Sequence, residues 1–172
     1  WVSGGFILAA FAALYMYVWT PVHAGVLFQN GLRHFYDDPT PYFQKAAQID
    51  PLDPDPWVYN AKWSRGFYEM SGSKELKLLT EAAGYLEQAR QRDPFNFIYS
   101  DSLSDIYVFL SETQKENVNQ YLQSAYRAQL DAQILNPGSD RIAYNLGILC
   151  EKLNQPEKAV EHFQKAVDIE DQ

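Results

Sequence analysis

The chain has 172 residues, of which 47% are hydrophobic and 21% are charged, so its composition excludes an intrinsically disordered protein. Its formal net charge of −8 argues against a nucleic-acid backbone as the main partner, because phosphate binding needs clustered Lys and Arg. The single cysteine, Cys150, excludes an intrachain disulfide, and the three histidines lack metal-ligand spacing, so we expect no metal and no cofactor.

The N-terminal segment is uncharged and apolar. Residues 1–32 contain no Asp, Glu, Lys or Arg, and residues 6–19 contain no strongly polar side chain. A membrane span needs about 20 mostly apolar residues, so we predict a transmembrane helix over residues 1–20. A signal peptide and a buried helix of a soluble domain are the alternatives. Small residues would let a second membrane helix approach this segment closely. The predicted contact positions are Gly4, Gly5, Ala9 and Ala13.

Proline residues recur at equal distances in the rest of the chain. Pro51, Pro94 and Pro137 are separated by 43 residues, and each follows a segment that begins with Ala and ends in Asp or Asn. A proline ends a helix because the residue before it is pushed out of helical geometry. Regular stops of this kind indicate stacked helix pairs.

The last 33 residues contain the clearest repeat unit. Gly147 on its first helix, and Ala159 and Ala166 on its second, are small where two helices would cross closely, and Phe163 lies between the alanines. This pattern, with Leu146 before the glycine, resembles the 34-residue tetratricopeptide repeat (TPR). The resemblance predicts an all-α, TPR-type helical solenoid of about three and a half helix pairs over residues 21–172, following the transmembrane helix. The approximate units are 22–51, 52–94, 95–137 and 138–172.

The helices are placed by their amphipathic periodicity. They are predicted at about residues 22–36, 41–50, 55–70, 75–93, 96–111, 116–136, 140–153 and 156–169. The 43-residue interval exceeds the TPR length by nine residues. We interpret the excess as longer helices or longer turns near residues 69–79 and 111–120.

The resemblance to TPR proteins implies a partner-binding surface, because the first helix of each pair lines the concave face in that family. The implied positions are Val58, Tyr59, Lys62, Arg65, Ile98, Asp101, Ser102, Asp105, Arg141, Tyr144, Asn145 and Ile148. One subset of the family clamps a C-terminal carboxylate, and Arg141 and Asn145 have compatible offsets. Because Asp101 and Asp105 would repel a carboxylate, a mixed polar and aromatic groove is the favoured interpretation.

The sequence contains no phosphate-binding loop, nucleophile elbow or zinc-binding helix, so we predict that this chain is not an enzyme. Its layout resembles membrane-anchored TPR proteins of bacterial complex assembly. That resemblance implies a protein-interaction scaffold, or an accessory subunit of a membrane complex, which contacts protein subunits and, through residues 1–20, the lipid bilayer. We expect a single-pass membrane protein with its solenoid on the periplasmic rather than the cytoplasmic side.

A second resemblance leads to a different function. The apolar helix, the dipeptide Gly31-Leu32 and the joint at residues 50–56 resemble the last membrane helix and TPR tail of bacterial O-antigen ligase-like proteins. This resemblance covers about residues 5–60. It implies a lipid-linked glycan transferase whose catalytic part precedes residue 1.

Overall fold

The computed structural model describes residues 20–34, 37–71 and 76–171 of the chain. All regular secondary structure in these residues is α-helical, as the sequence predicts. The eight helices are α1 (Thr20–Arg33), α2 (Thr40–Ile49), α3 (Asp55–Ser71), α4 (Leu76–Arg92), α5 (Phe97–Thr113), α6 (Val118–Leu135), α7 (Asp140–Lys152) and α8 (Pro156–Glu170).

The helices are arranged as four stacked pairs, α1/α2, α3/α4, α5/α6 and α7/α8, and each pair packs on the next. First helices lie beside first helices: Arg65 of α3 is 3.6 Å from Asp105 of α5. Second helices lie beside second helices: Arg90 of α4 is 2.9 Å from Asp131 of α6. This is the architecture of a helical solenoid. The predicted number of about three and a half pairs is low, since α1 and α2 form a complete first pair.

The turns between pairs lie where the prolines predict them. Pro51, Pro94 and Pro137 each follow the end of a second helix by two residues. Two of the next first helices, α5 and α7, are then capped, because side-chain oxygens of Asn96 and Ser139 accept hydrogen bonds from backbone N–H groups of the first turn.

The longer repeat interval arises mainly from longer helices. Helices α5 and α6 contain 17 and 18 residues, whereas α7 and α8 contain 13 and 15. Of the two predicted explanations, lengthened helices therefore account for most of the excess. The two first helices α3 and α5 are consequently long enough to extend the surface beside them by about one turn.

Small residues lie where the helices of a pair cross, as predicted for the last unit. A Cβ placed on Gly147 would lie 2.5 Å from Cδ1 and 2.8 Å from Cζ of Phe163. The first pair repeats this arrangement, since a Cβ on Gly31 would lie 2.6 Å from Cδ1 and 3.0 Å from Cζ of Phe43. In the first and the last pair, a phenylalanine ring of the second helix therefore packs directly against a glycine of the first helix.

The two middle pairs use other residues at the same positions. Ala61 and Ser104 precede Gly147 at intervals of 43 residues, and Leu86 and Gln129 are likewise 43 residues apart. Ala61 and Leu86 lie in one buried core cluster, and Ser104 and Gln129 line one cavity. Where Leu86 or Gln129 takes the place of the phenylalanine, Ala61 or Ser104 takes the place of the glycine.

The predicted membrane localisation is contradicted. Across residues 20–34, 37–71 and 76–171, no helix is both long enough and apolar enough to cross a membrane. The predicted single-pass membrane localisation is therefore wrong on this finding, and neither a periplasmic placement nor a lipid partner is supported. Apart from Thr20, the span predicted over residues 1–20, with Gly4, Gly5, Ala9 and Ala13, lies outside the described residues.

Candidate protein-interaction surface

Three cavities follow the first helices of the last three pairs. The α3/α5 cavity and the α5/α7 cavity each have a volume of about 270 Å³, and the α7/α8 cavity has a volume of about 710 Å³. Arg65 lines both of the first two cavities, and Ile148 lines both of the last two. The cavities therefore adjoin one another and form a continuous surface along α3, α5 and α7.

The α3/α5 cavity has an apolar floor, and the Lys62 ammonium lies at its edge. Ala61, Leu86 and Ile106 are buried beneath it. The Lys62 ammonium lies 4.8 Å from the ring centroid of Tyr59, which orients it beside the cavity. Lys62 is exposed and makes no ion pair within the described ranges. An incoming carboxylate would meet this ammonium without having to displace an existing partner.

The α5/α7 cavity is organised around Arg65. Its Nε donates to Glu69 at 2.9 Å, its Nη1 is 3.6 Å from Asp105, and its guanidinium carbon lies 5.1 Å from the ring centroid of Phe109. The pKa of Asp105 is raised, mainly by burial and to a smaller extent by the nearby Asp101 carboxylate. The attraction of Arg65 opposes that increase only in part. Arg65 is therefore held in place with its charge already neutralised.

Asp101 lies beneath the surface and joins three helices. Its Oδ2 accepts a hydrogen bond of 2.6 Å from Nη2 of Arg141 on α7, and its Oδ1 accepts one of 3.1 Å from Nε2 of Gln129 on α6. The Asp101 side chain is only 10% exposed. Arg141 is engaged by this carboxylate through Nη2, and its side chain is 56% exposed. The preference for a mixed groove over a carboxylate clamp stays a prediction.

Most predicted partner-binding residues reach the cavities. The α3/α5 cavity is lined by Val58, Tyr59, Lys62, Arg65, Ile98 and Ser102, the α5/α7 cavity by Arg65, Asp105, Asn145 and Ile148, and the α7/α8 cavity by Arg141, Tyr144 and Ile148. Asp101 is the exception, since it is buried under the surface and lines none of the three.

The sequence analysis missed several lining residues, among them two on the predicted helix faces. Phe109 and Lys152 line the α5/α7 cavity. Each lies four residues after a predicted position, Asp105 and Ile148 respectively, and therefore one turn further along the same helix face. Extending the predicted face by one turn would have found them. Elsewhere in the described ranges, no group of three or more His, Cys, Asp or Glu is placed to hold a metal ion.

Comparison with known proteins agrees with the repeat geometry of the last pair. Residues 141–172 match the Tetratricopeptide repeat family. The TPR resemblance predicted from Gly147, Ala159, Phe163 and Ala166 is thus confirmed for this unit. No curated protein matches the chain, and nothing in these comparisons shows the predicted resemblance of residues 5–60 to O-antigen ligase-like proteins.

Solved structures with the same fold extend the TPR likeness beyond the last pair. The crystal structure of MamA has a TM-score of 0.67 at 16% sequence identity, covering 86% of this chain and 78% of MamA. TTC0263, a thermophilic TPR protein of Thermus thermophilus, has a TM-score of 0.56 at 22% identity, covering 86% and 75% of the two chains. PilF of Pseudomonas aeruginosa has a TM-score of 0.55 at 20% identity, covering 85% and 60%. At these identities the likeness shows the TPR fold alone.

Proposed function

We propose that this chain is a protein-interaction scaffold whose TPR-like solenoid binds an extended segment of a partner protein along α3, α5 and α7. The observation that carries this proposal is the row of adjoining cavities on three successive first helices. Binding sites are typically concave and mostly apolar with a few oriented polar groups, and solenoid grooves present such sites in series. The proposal assigns no catalytic residue.

The α3/α5 cavity is the proposed anchor point. Its apolar floor suits one large aliphatic or aromatic side chain of the partner, and the free Lys62 ammonium at its edge suits an adjacent carboxylate. Arg65 and Arg141 are already paired with carboxylates of the chain itself. We therefore expect the bound segment to combine an apolar anchor with an acidic neighbour rather than to be strongly acidic throughout.

A matched pair of isoleucines tests this proposal. Ile98 lines the α3/α5 cavity and is 51% exposed, whereas Ile134 lies on α6 away from the three cavities and is 77% exposed. Peptides would be selected on the full chain from a displayed random library, and their dissociation constants would then be measured by fluorescence anisotropy. Ile98→Glu should weaken binding at least tenfold, and Ile134→Glu should leave it unchanged.

Lys62→Glu provides a second readout. This variant should weaken the binding of peptides that contain a carboxylate next to the anchor. It should also flatten the salt dependence of their binding. The proposal would be refuted by peptides that bind the Ile98→Glu variant and the original chain with equal affinity but bind the Ile134→Glu variant more weakly. Such peptides would contact the outer face.

A further inference from the structure

We propose that the α5/α7 cavity selects a tyrosine of the bound segment, whose hydroxyl donates a hydrogen bond to the buried Oε1 of Gln129. This assignment rests on the proposed groove function and adds to it the residue that gives the groove specificity. The α5/α7 cavity has a volume of about 270 Å³, lies between two successive first helices and includes Gln129 of α6 in its lining.

The orientation of the Gln129 side chain is fixed by its neighbours. The side chain is fully buried, and its Nε2 donates a hydrogen bond of 3.1 Å to Oδ1 of Asp101. A carboxylate accepts hydrogen bonds, so the amide nitrogen and not the oxygen must face Asp101. The other oxygen of Asp101 is held by Arg141 at 2.6 Å. Because Asp101 lines none of the three cavities, the oxygen of Gln129 is left on the side of the α5/α7 cavity.

The Oε1 atom of Gln129 is buried but accepts no hydrogen bond from the described residues. Most buried polar atoms in proteins have a partner, and a buried acceptor without one costs free energy until a donor reaches it. A site of this kind discriminates strongly against a guest that has the right shape but lacks the donor. The α5/α7 cavity is therefore expected to prefer a side chain that brings a hydrogen-bond donor.

The preceding repeat provides a direct comparison within the chain. Ala61 and Leu86 line the α3/α5 cavity, and 43 residues later Ser104 and Gln129 line the α5/α7 cavity. All four residues are buried, and both cavities have volumes of about 270 Å³. The two cavities therefore occupy equivalent positions, but the first has an apolar floor and the second a polar one. We expect the first to accept an apolar side chain and the second to accept a side chain with a polar tip.

The walls of the α5/α7 cavity determine the body of its guest. Val108, Phe109 and Ile148 contribute apolar surface to the lining. An aromatic ring fills such space at low cost in conformational entropy and packs well against another ring such as Phe109. Tyrosine carries its donor at the tip of the ring, where it can reach a buried atom, and its buried hydroxyl usually finds a hydrogen-bond partner. These properties favour tyrosine over aliphatic residues, which lack a donor, and over serine, which lacks the ring.

The charged residues of the lining favour a neutral guest. Nη1 of Arg65 lies 3.6 Å from Asp105, and Nζ of Lys152 lies 3.3 Å from Glu112. A charged guest would compete with one of these ion pairs or lie beside a charge of its own sign. A tyrosine hydroxyl is neutral at pH 7 and does neither.

The first test compares two peptides on the unaltered full chain. Packed helices lie about 8–10 Å apart and an extended chain advances about 3.3 Å per residue. Library-selected peptides that Ile98→Glu weakens at least tenfold should therefore carry a tyrosine about two to four residues from the apolar anchor. Replacing this tyrosine by phenylalanine removes only the hydroxyl and should raise the dissociation constant, measured by fluorescence anisotropy, at least tenfold. Equal affinity of the two peptides would overturn the assignment.

Variants of Gln129 identify the acceptor of the hydroxyl. Gln129→Leu introduces the residue found at the equivalent position 86 and should bind the two peptides with nearly equal affinity. Gln129→Met keeps the length of the side chain and should give the same result, so the test does not depend on one variant folding. Gln123→Leu is the matched control, because Gln123 is an exposed residue of the same helix and lines none of the three cavities. This control should keep the full preference for tyrosine. Persistence of the preference in both Gln129 variants would refute a bond to Gln129.

A phosphotyrosine peptide separates a donor-reading cavity from an anion site. Arg65 and Lys152 line the cavity, and both are residues that bind phosphate in other settings. Phosphorylation removes the hydroxyl donor and adds oxygens that mainly accept hydrogen bonds at neutral pH. The phosphorylated peptide should therefore bind at least tenfold more weakly than the tyrosine peptide. Tighter binding would assign the cavity to an anion and overturn the assignment to tyrosine.

The outcomes also distinguish failure of this assignment from failure of the groove function. Peptides that lose affinity for Ile98→Glu but show no preference for tyrosine would retain the groove and reject the role of Gln129. Peptides unaffected by Ile98→Glu would reject the groove itself. Sedimentation that shows a dimer dissociated by Gln129→Leu would assign the cavity to a second copy of the chain and refute selection of a partner's tyrosine.

Discussion

Gly147 and Phe163 fit together because glycine has no β-carbon: a methyl group at position 147 would occupy space 2.5 to 2.8 Å from the Cδ1 and Cζ atoms of the phenylalanine ring. Carbon atoms in van der Waals contact are about 3.5–4.0 Å apart. The crossing of α7 and α8 is therefore closer than any other residue at position 147 would permit without a shift of the ring.

Gly147→Ala should destabilise the protein. Overpacking of a closed contact costs roughly 1–3 kcal/mol, while the better helix propensity of alanine returns about 1 kcal/mol. We expect a net loss of up to about 2 kcal/mol in the free energy of unfolding, measured by urea denaturation. Gly84→Ala is the matched control, since a Cβ on this exposed helical glycine meets nothing within 4 Å. The control should gain about 0.5–1 kcal/mol.

The same crossing predicts a rescue. Phe163→Leu combined with Gly147→Ala reproduces the Ala61 and Leu86 combination of the second pair, where both residues are buried in one cluster. The double variant should therefore be more stable than the sum of the two single losses predicts, by about 0.5–3 kcal/mol. Strictly additive losses would show that the ring and the missing β-carbon are not coupled.

The Arg141–Asp101 pair predicts an asymmetry between its two partners. Arg141→Met leaves the nearly buried Asp101 carboxylate with Gln129 as its remaining hydrogen-bond donor, and an uncompensated buried charge costs about 1–3 kcal/mol. Asp101→Asn removes the charge but keeps an oxygen that can accept from Gln129, so it should cost less. Adding Asp101→Asn to Arg141→Met should recover stability in urea denaturation. A further loss would contradict this account.

The Asp105 carboxyl predicts a pH-dependent effect with a defined sign. Burial and the neighbouring Asp101 raise the pKa of Asp105 above its usual value of 3.8, even though Arg65 and Arg141 lower it. Between pH 3.8 and the raised pKa, the folded state binds more protons than the unfolded state, so stability contributed by this group falls as the pH rises through that window.

Asp105→Asn removes this titration. Relative to the original chain, the variant should be at least as stable at pH 7, and that advantage should shrink as the pH falls toward 3.8. Urea denaturation of both proteins at pH 7 and pH 4 measures the difference. A variant that is less stable at pH 7 and recovers at pH 4 would show that the ion pair with Arg65 outweighs the cost of burying the carboxylate.

The parts of this fold that the sequence predicts are those encoded locally. Pro51, Pro94 and Pro137 end helices through backbone geometry that needs no tertiary contact, so the helix bounds follow from their spacing. The burial of Gln129 could not be predicted, because a polar side chain occupies the position that Leu86 takes in the preceding pair. The Gln129 side chain is held in this position by its hydrogen bond to the carboxylate of Asp101. The sequence analysis had placed Asp101 on the surface.

Cys150 provides a site-specific measure of how the last pair opens. The thiol is fully buried, and burial raises its pKa, so little thiolate is exposed to a reagent in the folded state. Labelling by a maleimide should therefore be slow and should report opening of the α7/α8 pair. Gly147→Ala should accelerate labelling about tenfold for each 1.4 kcal/mol lost at this crossing.

Gly31→Ala disturbs the equivalent contact with Phe43 in the first pair and should destabilise α1/α2. If the pairs open independently, as units of a solenoid with nearest-neighbour contacts do, this variant should leave the labelling rate of Cys150 nearly unchanged. Equal acceleration by both glycine variants, measured by mass spectrometry under native conditions, would instead show that the four pairs unfold as one cooperative unit.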